Sequence, residues 1–143
     1  MTDLPPPHAL LPHAPPFLFL DEVVALGESS VHARRTFRPD EDFFRGHFPG
    51  NPIVPGVLLI EGMAQAFAYL MMHGRELRGV YLTGIDRARF RRPVHPGETV
   101  DFMVEVEGLR MGLVTGKAEA RVGEVRVADA RLSGAATNDV PVR

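Results

Sequence analysis

The sequence predicts an α+β domain in which one antiparallel sheet wraps around a single long, central, apolar helix. Three observations predict it. Only one segment, from Pro55 through Met72, has the length and composition of a buried helix, and it is apolar on nearly every side. The segments after it read as strands with no helix between them, which disfavours a parallel α/β sheet. The segments before it read as a hairpin. A helix without a polar face has to be enclosed, and a curling sheet of roughly five to seven strands encloses it. Such a sheet leaves its own edge and the helix ends poorly covered, so a homodimer is expected.

Taken in order, residues 1–9 form a proline-rich start. Residues 17–26 are an apolar run ending at Gly27 and predict a buried strand. Residues 30–37 predict its hairpin partner across Gly27-Glu28-Ser29. Residues 38–55 hold Pro39, Gly46, Pro49, Gly50, Pro52 and Pro55, a density of breakers that forbids a continuous helix or central strand. A loop of that length is usually functional. The helix then starts near Gly56, and Gly74 supplies its stop. Strands follow at 80–90, 99–107, 113–122 and 125–132. The second of these alternates cleanly, with Val100, Phe102, Val104 and Val106 on one face and Asp101, Glu105 and Glu107 on the other. In the last, the apolar frame slips from Val125 and Val127 to Ala128, Ala130 and Leu132, which predicts a bulge. Repeats, low-complexity segments and interdomain linkers are absent from the sequence, so one domain is expected over 1–143, with 137–143 a flexible tail.

The bulk properties exclude several classes. The 143 residues carry a net charge of −2, which does not favour nucleic acid or an anionic membrane as partner. Lys117 is the only lysine. With no cysteine there are no disulfides, no thiolate catalysis and no cysteine-based zinc site. The first residues lack the basic and apolar regions of a signal peptide, and the apolar helix is too short to span a bilayer, so a cytoplasmic protein is expected.

Glu61 stands out because it places a carboxylate inside the apolar helix. An unpartnered buried carboxylate costs several kcal/mol or neutralises by shifting its pKa, so Glu61 is expected to have a chemical task. Upstream lies Gly46-His47-Phe48-Pro49-Gly50, a histidine held between glycines and a proline. An acid, a base and an apolar wall form a candidate catalytic pocket. His13 and His95 sit in proline-rich turns and read as structural, while His8, His32 and His73 carry no pattern. The histidine spacing gives no metal site.

Three stretches are recognisable together. They are Leu11-Pro12-His13-Ala14-Pro15-Pro16-Phe17-Leu18-Phe19-Leu20-Asp21, then Phe43-Phe44-Arg45-Gly46-His47-Phe48-Pro49-Gly50-Asn51-Pro52-Ile53-Val54-Pro55-Gly56-Val57-Leu58 with Glu61-Gly62-Met63-Ala64-Gln65, and Gly84-Ile85-Asp86-Arg87-Ala88-Arg89-Phe90-Arg91-Arg92-Pro93-Val94-His95-Pro96-Gly97-Glu98, with Gly116-Lys117-Ala118 further on. They resemble the hot-dog-fold (3R)-3-hydroxyacyl-[acyl carrier protein] dehydratases of type II fatty acid synthesis, over about residues 10–135. The glutamate at the acid position is similar to the broad-specificity elongation branch, where the dehydratase-isomerase branch has aspartate. The resemblance implies a hot-dog fold and dehydration of a substrate carried on the phosphopantetheine of acyl carrier protein, with no metal or dissociable cofactor. It also implies a homodimer whose sites pair His47 of one subunit with Glu61 of the other, and often a hexamer of three dimers. The chain departs from the family at Ala14, where arginine is usual, and at Gly108-Leu109-Arg110-Met111-Gly112, which is less basic than usual. Both departures bear on which carrier protein docks.

Dehydrating a 3-hydroxyacyl thioester needs a base at C2, an acid for the departing C3 hydroxyl, and donors for the thioester oxygen. His47 suits the base because neutral imidazole is available near neutral pH. Glu61 suits the acid because burial raises a carboxyl pKa. Gly56 and Val57 are the candidate backbone donors, since the first helix N–H groups are free and lie at a positive dipole end. The resemblance gives the Gly56 position that role. Gln65, one turn after Glu61, either orients the carboxyl or satisfies backbone groups. Phe48 and Pro49 support the histidine. Ile53, Val57, Ile60, Met63, Phe67 and Phe90, with Phe48, are candidates for an acyl channel, although plain core is the commoner role for such residues. Arg87, Arg89 and Arg91 alternate beside Arg92. They either dock the acidic carrier and its phosphate or form a solvated face paired with Asp101, Glu105 and Glu107. Competing readings are a hot-dog thioesterase, a specialised dehydratase of a secondary pathway, isomerisation after dehydration, and a non-catalytic acyl-binding module. A base aimed at C2 and a buried acid disfavour the thioesterase and the binding module.

Overall fold

A computed structural model describes residues 3–75 and 77–138. Six strands form one sheet: β1 (Glu22–Leu26), β2 (Ser30–Thr36), β3 (Gly79–Phe90), β4 (Thr99–Arg110), β5 (Leu113–Val122) and β6 (Val125–Thr137). The helices are a short α1 (Pro7–Leu10), a 3-10 turn at Asp42–Arg45, and the long α2 (Gly56–Met72). The sheet order is β1-β2-β4-β5-β6-β3, with every neighbouring pair antiparallel.

The sheet curls around α2, which packs against β2, β3, β4, β5 and β6. Strands β2, β4 and β5 send alternate residues inward, among them Ala33, Val100, Phe102, Val114 and Ala120, all fully buried. They meet Met63, Ala66, Phe67 and Tyr69 of the helix, which are equally buried. Gly62 lets helix and sheet approach closely, because a Cβ there would stand 2.3 Å from Phe102 Cζ. Gly74, with φ +71°, ends the helix in the left-handed conformation expected of it. The Arg75 guanidinium donates to the last-turn carbonyls of Leu70 and Met71 at 3.1 and 3.3 Å. At the other end of the chain, α1 and the prolines before it lie against α2, where Tyr69 Oη donates to the Pro5 carbonyl at 2.6 Å.

The predicted bulge in the last strand lies at Val127. The β5–β6 register moves between the pairs Ala120/Ala128 and Arg121/Arg126, and Val127 and Ala128 are both buried. Strand β6 runs on to Thr137, past the predicted end at 132. Of the expected tail 137–143, Thr137 belongs to β6 and residues 139–143 lie outside the described residues.

The first predicted strand needs correction. Pairing begins only at Glu22, and residues 17–21 are not a strand, although Phe19 and Leu20 are buried. The reason is Gln65, whose side chain supplies the hydrogen bonds that a neighbouring strand would have supplied. Its Oε1 accepts from the Phe19 N–H at 2.8 Å and its Nε2 donates to the Phe17 carbonyl at 3.0 Å. Residues 11–19 therefore form a strap fastened to α2.

Candidate active site

The loop 38–55 is shaped from its first residues. Arg35 on β2 is almost fully buried, lies over the rings of Phe19 and Phe37, and pairs with both Glu41 and Asp21. Glu41 also accepts the Arg38 N–H at 3.1 Å and leads into the 3-10 turn. The Phe43 carbonyl within that turn accepts the N–H groups of Gly46 and His47 at 3.2 and 3.0 Å. Phe48 and Asn51 then exchange backbone bonds at 3.1 and 2.9 Å around Pro49 and Gly50, and Gly50 takes φ +75°. This tight turn folds Ile53 back onto His47.

The fold-back decides the chemistry of the histidine. The Ile53 N–H donates to the His47 carbonyl at 2.9 Å, and His47 Nδ1 lies 3.0 Å from the Ile53 carbonyl oxygen. A carbonyl only accepts, so Nδ1 carries the hydrogen and Nε2 keeps its lone pair. The ring also stacks on Phe48 at 4.2 Å. In its neutral form, His47 thus presents Nε2 as the free basic nitrogen.

Glu61 is only half-buried, with 23% of its side chain exposed. This corrects the expectation of a carboxyl sealed in an apolar wall, because its face of α2 is crossed by the strap and not by the sheet. Two polar groups stand beside it. Gln65 Nε2 donates to Glu61 Oε2 at 3.0 Å, and His13 Nε2 approaches the same oxygen at 3.6 Å. Both roles open to Gln65 in the sequence are therefore filled at once. Its two N–H donors and its carbonyl are all engaged, which fixes the orientation of the amide. His13, expected to be structural, stands at the candidate acid. The signal for it was its place in Leu11-Pro12-His13, with Leu11 buried in the core and the chain pinned at Phe17 by Gln65.

The start of α2 presents free donors. Pro55 occupies the N-cap and no side chain caps the helix. Leu58 donates to the Pro55 carbonyl, while the N–H groups of Gly56 and Val57 find no acceptor among the described residues. A Cβ on Gly56 would stand 2.8 Å from the Phe90 ring, so glycine allows the aromatic end of β3 to lie against the helix start. Phe48, Val57 and Phe90 leave about half or more of their surface exposed, whereas Ile60, Met63 and Phe67 belong to the core. Ile53 is partly buried.

The remaining candidates scatter. Among the described residues no hydrogen bond or ion pair joins His47 to Glu61 within one chain. Arg91 bonds Asp129 at 2.6 Å, and Arg92 grips Glu98 at 3.2 and 3.1 Å. The expected pairing of this arginine set with Asp101, Glu105 and Glu107 does not occur, because β5 and β6 stand between β3 and β4. Those acids bind His32 and Arg34, Lys117, and Arg131 instead. A bulge between Asp86 and Arg89, with Arg87 at φ +53°, also breaks the alternation. Arg87 lines a groove of 710 Å³ on the outer sheet face with His32, Lys117, Arg126 and Arg131, away from His47 and Glu61. The His95 backbone N–H donates to Glu98 Oε1 at 2.8 Å in the turn after β3. Among the described residues no three His, Asp or Glu side chains group to hold a metal ion, and no helix is long and apolar enough to cross a membrane.

A curled antiparallel sheet around one apolar helix, with a histidine loop at the helix start, defines a hot-dog domain. The chain belongs to the FabA-like family, whose domain model matches residues 11–131. It is 44% identical to the 3-hydroxyacyl-[acyl-carrier-protein] dehydratase FabZ of Enterococcus faecalis, over 87% of this chain and 90% of that protein. It is 42% identical to the protein of the same name from Chloroflexus aggregans, over 91% and 92%. Among solved structures it resembles the dehydratase heterocomplex ApeI:P of Xenorhabdus doucetiae, with a TM-score of 0.83 at 20% identity over 96% of this chain and 94% of that one. It also resembles the E. coli PaaI protein of the phenylacetic acid degradation operon, with a TM-score of 0.65 at 18% identity over 80% and 78%. At those identities the two structures speak for the fold alone.

Proposed function

We propose that the chain dehydrates (3R)-3-hydroxyacyl thioesters carried on acyl carrier protein to trans-2-enoyl thioesters in fatty acid biosynthesis, with His47 as base and Glu61 as acid. The chain is a hydro-lyase. His47 Nε2 takes a proton from C2, the C2–H electron pair forms the new double bond, and the C3–O bond breaks as Glu61 gives its proton to the departing oxygen, releasing water. The Gly56 and Val57 N–H groups receive the charge that develops on the thioester oxygen, a contribution of about 10²–10³ in rate per donor. The observation that carries this reading is the His47–Ile53 bond, which fixes the tautomer with a basic Nε2. No step calls for a metal or a dissociable cofactor, and the cytoplasm, where the carrier is expected, is the setting.

The site is shared between two subunits of a homodimer. His47 and Glu61 make no contact within one chain, which supports a partner's residue completing each site. The outer edge of β3 supports it too. It ends the sheet unpaired and exposes Tyr81, Leu82, Ile85 and Phe90, an apolar edge that a second copy would cover. Assembly of dimers into a hexamer belongs to the same reading. Docking of the carrier falls to Arg87 and Arg89, which make no ion pair among the described residues, more than to Arg91 and Arg92.

The test is conversion of (3R)-3-hydroxyacyl carrier protein, followed by mass spectrometry and ultraviolet absorbance, for wild type and for folded His47→Ala and Glu61→Gln. Loss of water by wild type alone agrees with the reading. A free acid product would make the chain a thioesterase.

A further inference from the structure

We infer that His13 is a positioning residue for the acid, holding the Glu61 carboxyl and supporting the carboxylate left when its proton is given up. The inference rests on the dehydratase reading. Its basis is a convergence on one oxygen. Gln65 Nε2 donates to Glu61 Oε2 at 3.0 Å, and His13 Nε2 stands 3.6 Å from that same atom. With one N–H on Oε2 and a second ring nitrogen facing it, Oε2 is the accepting oxygen of the carboxyl. The transferable proton therefore sits on Oε1.

At 3.6 Å the imidazole is just beyond hydrogen-bond reach in the resting chain. Catalytic hydrogen bonds commonly tighten only once substrate is bound or charge develops. Here the charge develops on the carboxyl itself. As the C3–O bond breaks and Oε1 gives up its proton to the departing oxygen, the carboxyl becomes an anion and a neutral His13 Nε2–H becomes a charge-assisted donor to it. The proton taken from C2 stays on His47 Nε2, so His13 neither gains nor loses one.

The strap makes this placement reproducible. Leu11, two residues before His13, is buried in the core, and its N–H bonds the Pro7 carbonyl at 2.9 Å. After His13, the Phe17 N–H closes a turn onto the Ala14 carbonyl at 2.9 Å, and Gln65 clamps Phe17 and Phe19. The residue that holds the strap on α2 is the same one that holds Glu61. His13 and the acid are thus set against each other by one amide, on one chain, whatever subunit supplies His47.

The test is steady-state dehydration by His13→Phe and His13→Gln, each with a melting curve matching wild type. The phenyl ring keeps the shape and removes the donor, while a glutamine amide reaches the Nε2 position and restores it. His13→Phe is expected to lower kcat about 10- to 100-fold, the range for a hydrogen bond to a charged group. KM should stay within about twofold, because ground-state binding is untouched. His13→Gln is expected to recover most of the loss. Unchanged kcat in His13→Phe, or an equal loss in both variants, would overturn the inference and leave the dehydratase reading standing. Where wild type itself does not dehydrate, that reading fails, and the contact is read by NMR. The His13 ring nitrogen signals should move on Glu61→Gln, and signals that stay put overturn the inference.

Discussion

Gln65→Met separates the roles of an amide that fastens both the strap and the acid. Methionine matches glutamine in length, so the cavity term is small. What is lost is three hydrogen bonds of 2.8 to 3.0 Å at a residue that is 1% exposed. Phe19 is 3% exposed, so its N–H is left buried without an acceptor, a cost of about 1–3 kcal/mol. Phe17 is 49% exposed, so its carbonyl turns to water at little cost. The expected loss is about 2 kcal/mol, a sizeable part of a typical stability of about 5–15 kcal/mol. For a chain of this length that lowers Tm by roughly 8 °C. The urea midpoint should fall by about 1 M with the m-value unchanged. Dehydration should fall about tenfold as well, since Oε2 of the acid loses its donor. A midpoint shift below about 0.2 M would refute the claim that Gln65 replaces a strand neighbour. A normal kcat in the destabilised protein would refute its hold on the acid.

Three further outcomes follow from other contacts. Arg35→Ala leaves the Glu41 carboxylate, 12% exposed, without its partner, and should cost about 3–5 kcal/mol by urea unfolding, with much of it restored in Arg35→Met/Glu41→Leu. Gly62→Ala drives a Cβ into the buried Phe102 ring and should cost about 1–3 kcal/mol, whereas Gly56→Ala meets the half-exposed Phe90 and should cost less in stability than in activity. Burial pushes the Asp101 carboxyl up, but hydrogen bonds from His32 and Arg34, with the Arg34 charge, outweigh it and hold the group below its ordinary value. A carboxyl depressed on folding adds stability above its unfolded pKa and loses it as pH falls through the folded one. Asp101→Asn should therefore be less stable than wild type near neutral pH, by at most about 1 kcal/mol, with the gap closing in acid unfolding curves.

Local signals made most of this architecture legible. The apolar helix and its glycine stop, the alternation of β4, the tight turn between β5 and β6 and the slip at Val127 all depend on residues close in sequence. What escaped depends on residues far apart. An apolar run at 17–21 reads as a strand until Gln65, on a helix, answers its backbone groups. His13 reads as a turn residue until the strap crosses the helix at Glu61. The arginines of β3 match the acids of β4 in charge until the sheet order puts two strands between them. Strand order is set by the whole core, and no window of sequence contains it. The breakers of residues 38–55 mark a shaped loop, but the tautomer of neutral His47 depends on the fold-back of Ile53.

The shared site proposed above joins His47 of one subunit to Glu61 of another. It is tested by mixing His47→Ala with Glu61→Gln, each inactive alone, after unfolding and refolding them together. Random pairing gives one intact site in each mixed dimer, so the mixture should recover about a quarter of wild-type activity. A mixture as inactive as its components, with mixed dimers verified by mass spectrometry, would place both residues in a single chain's site and contradict the account.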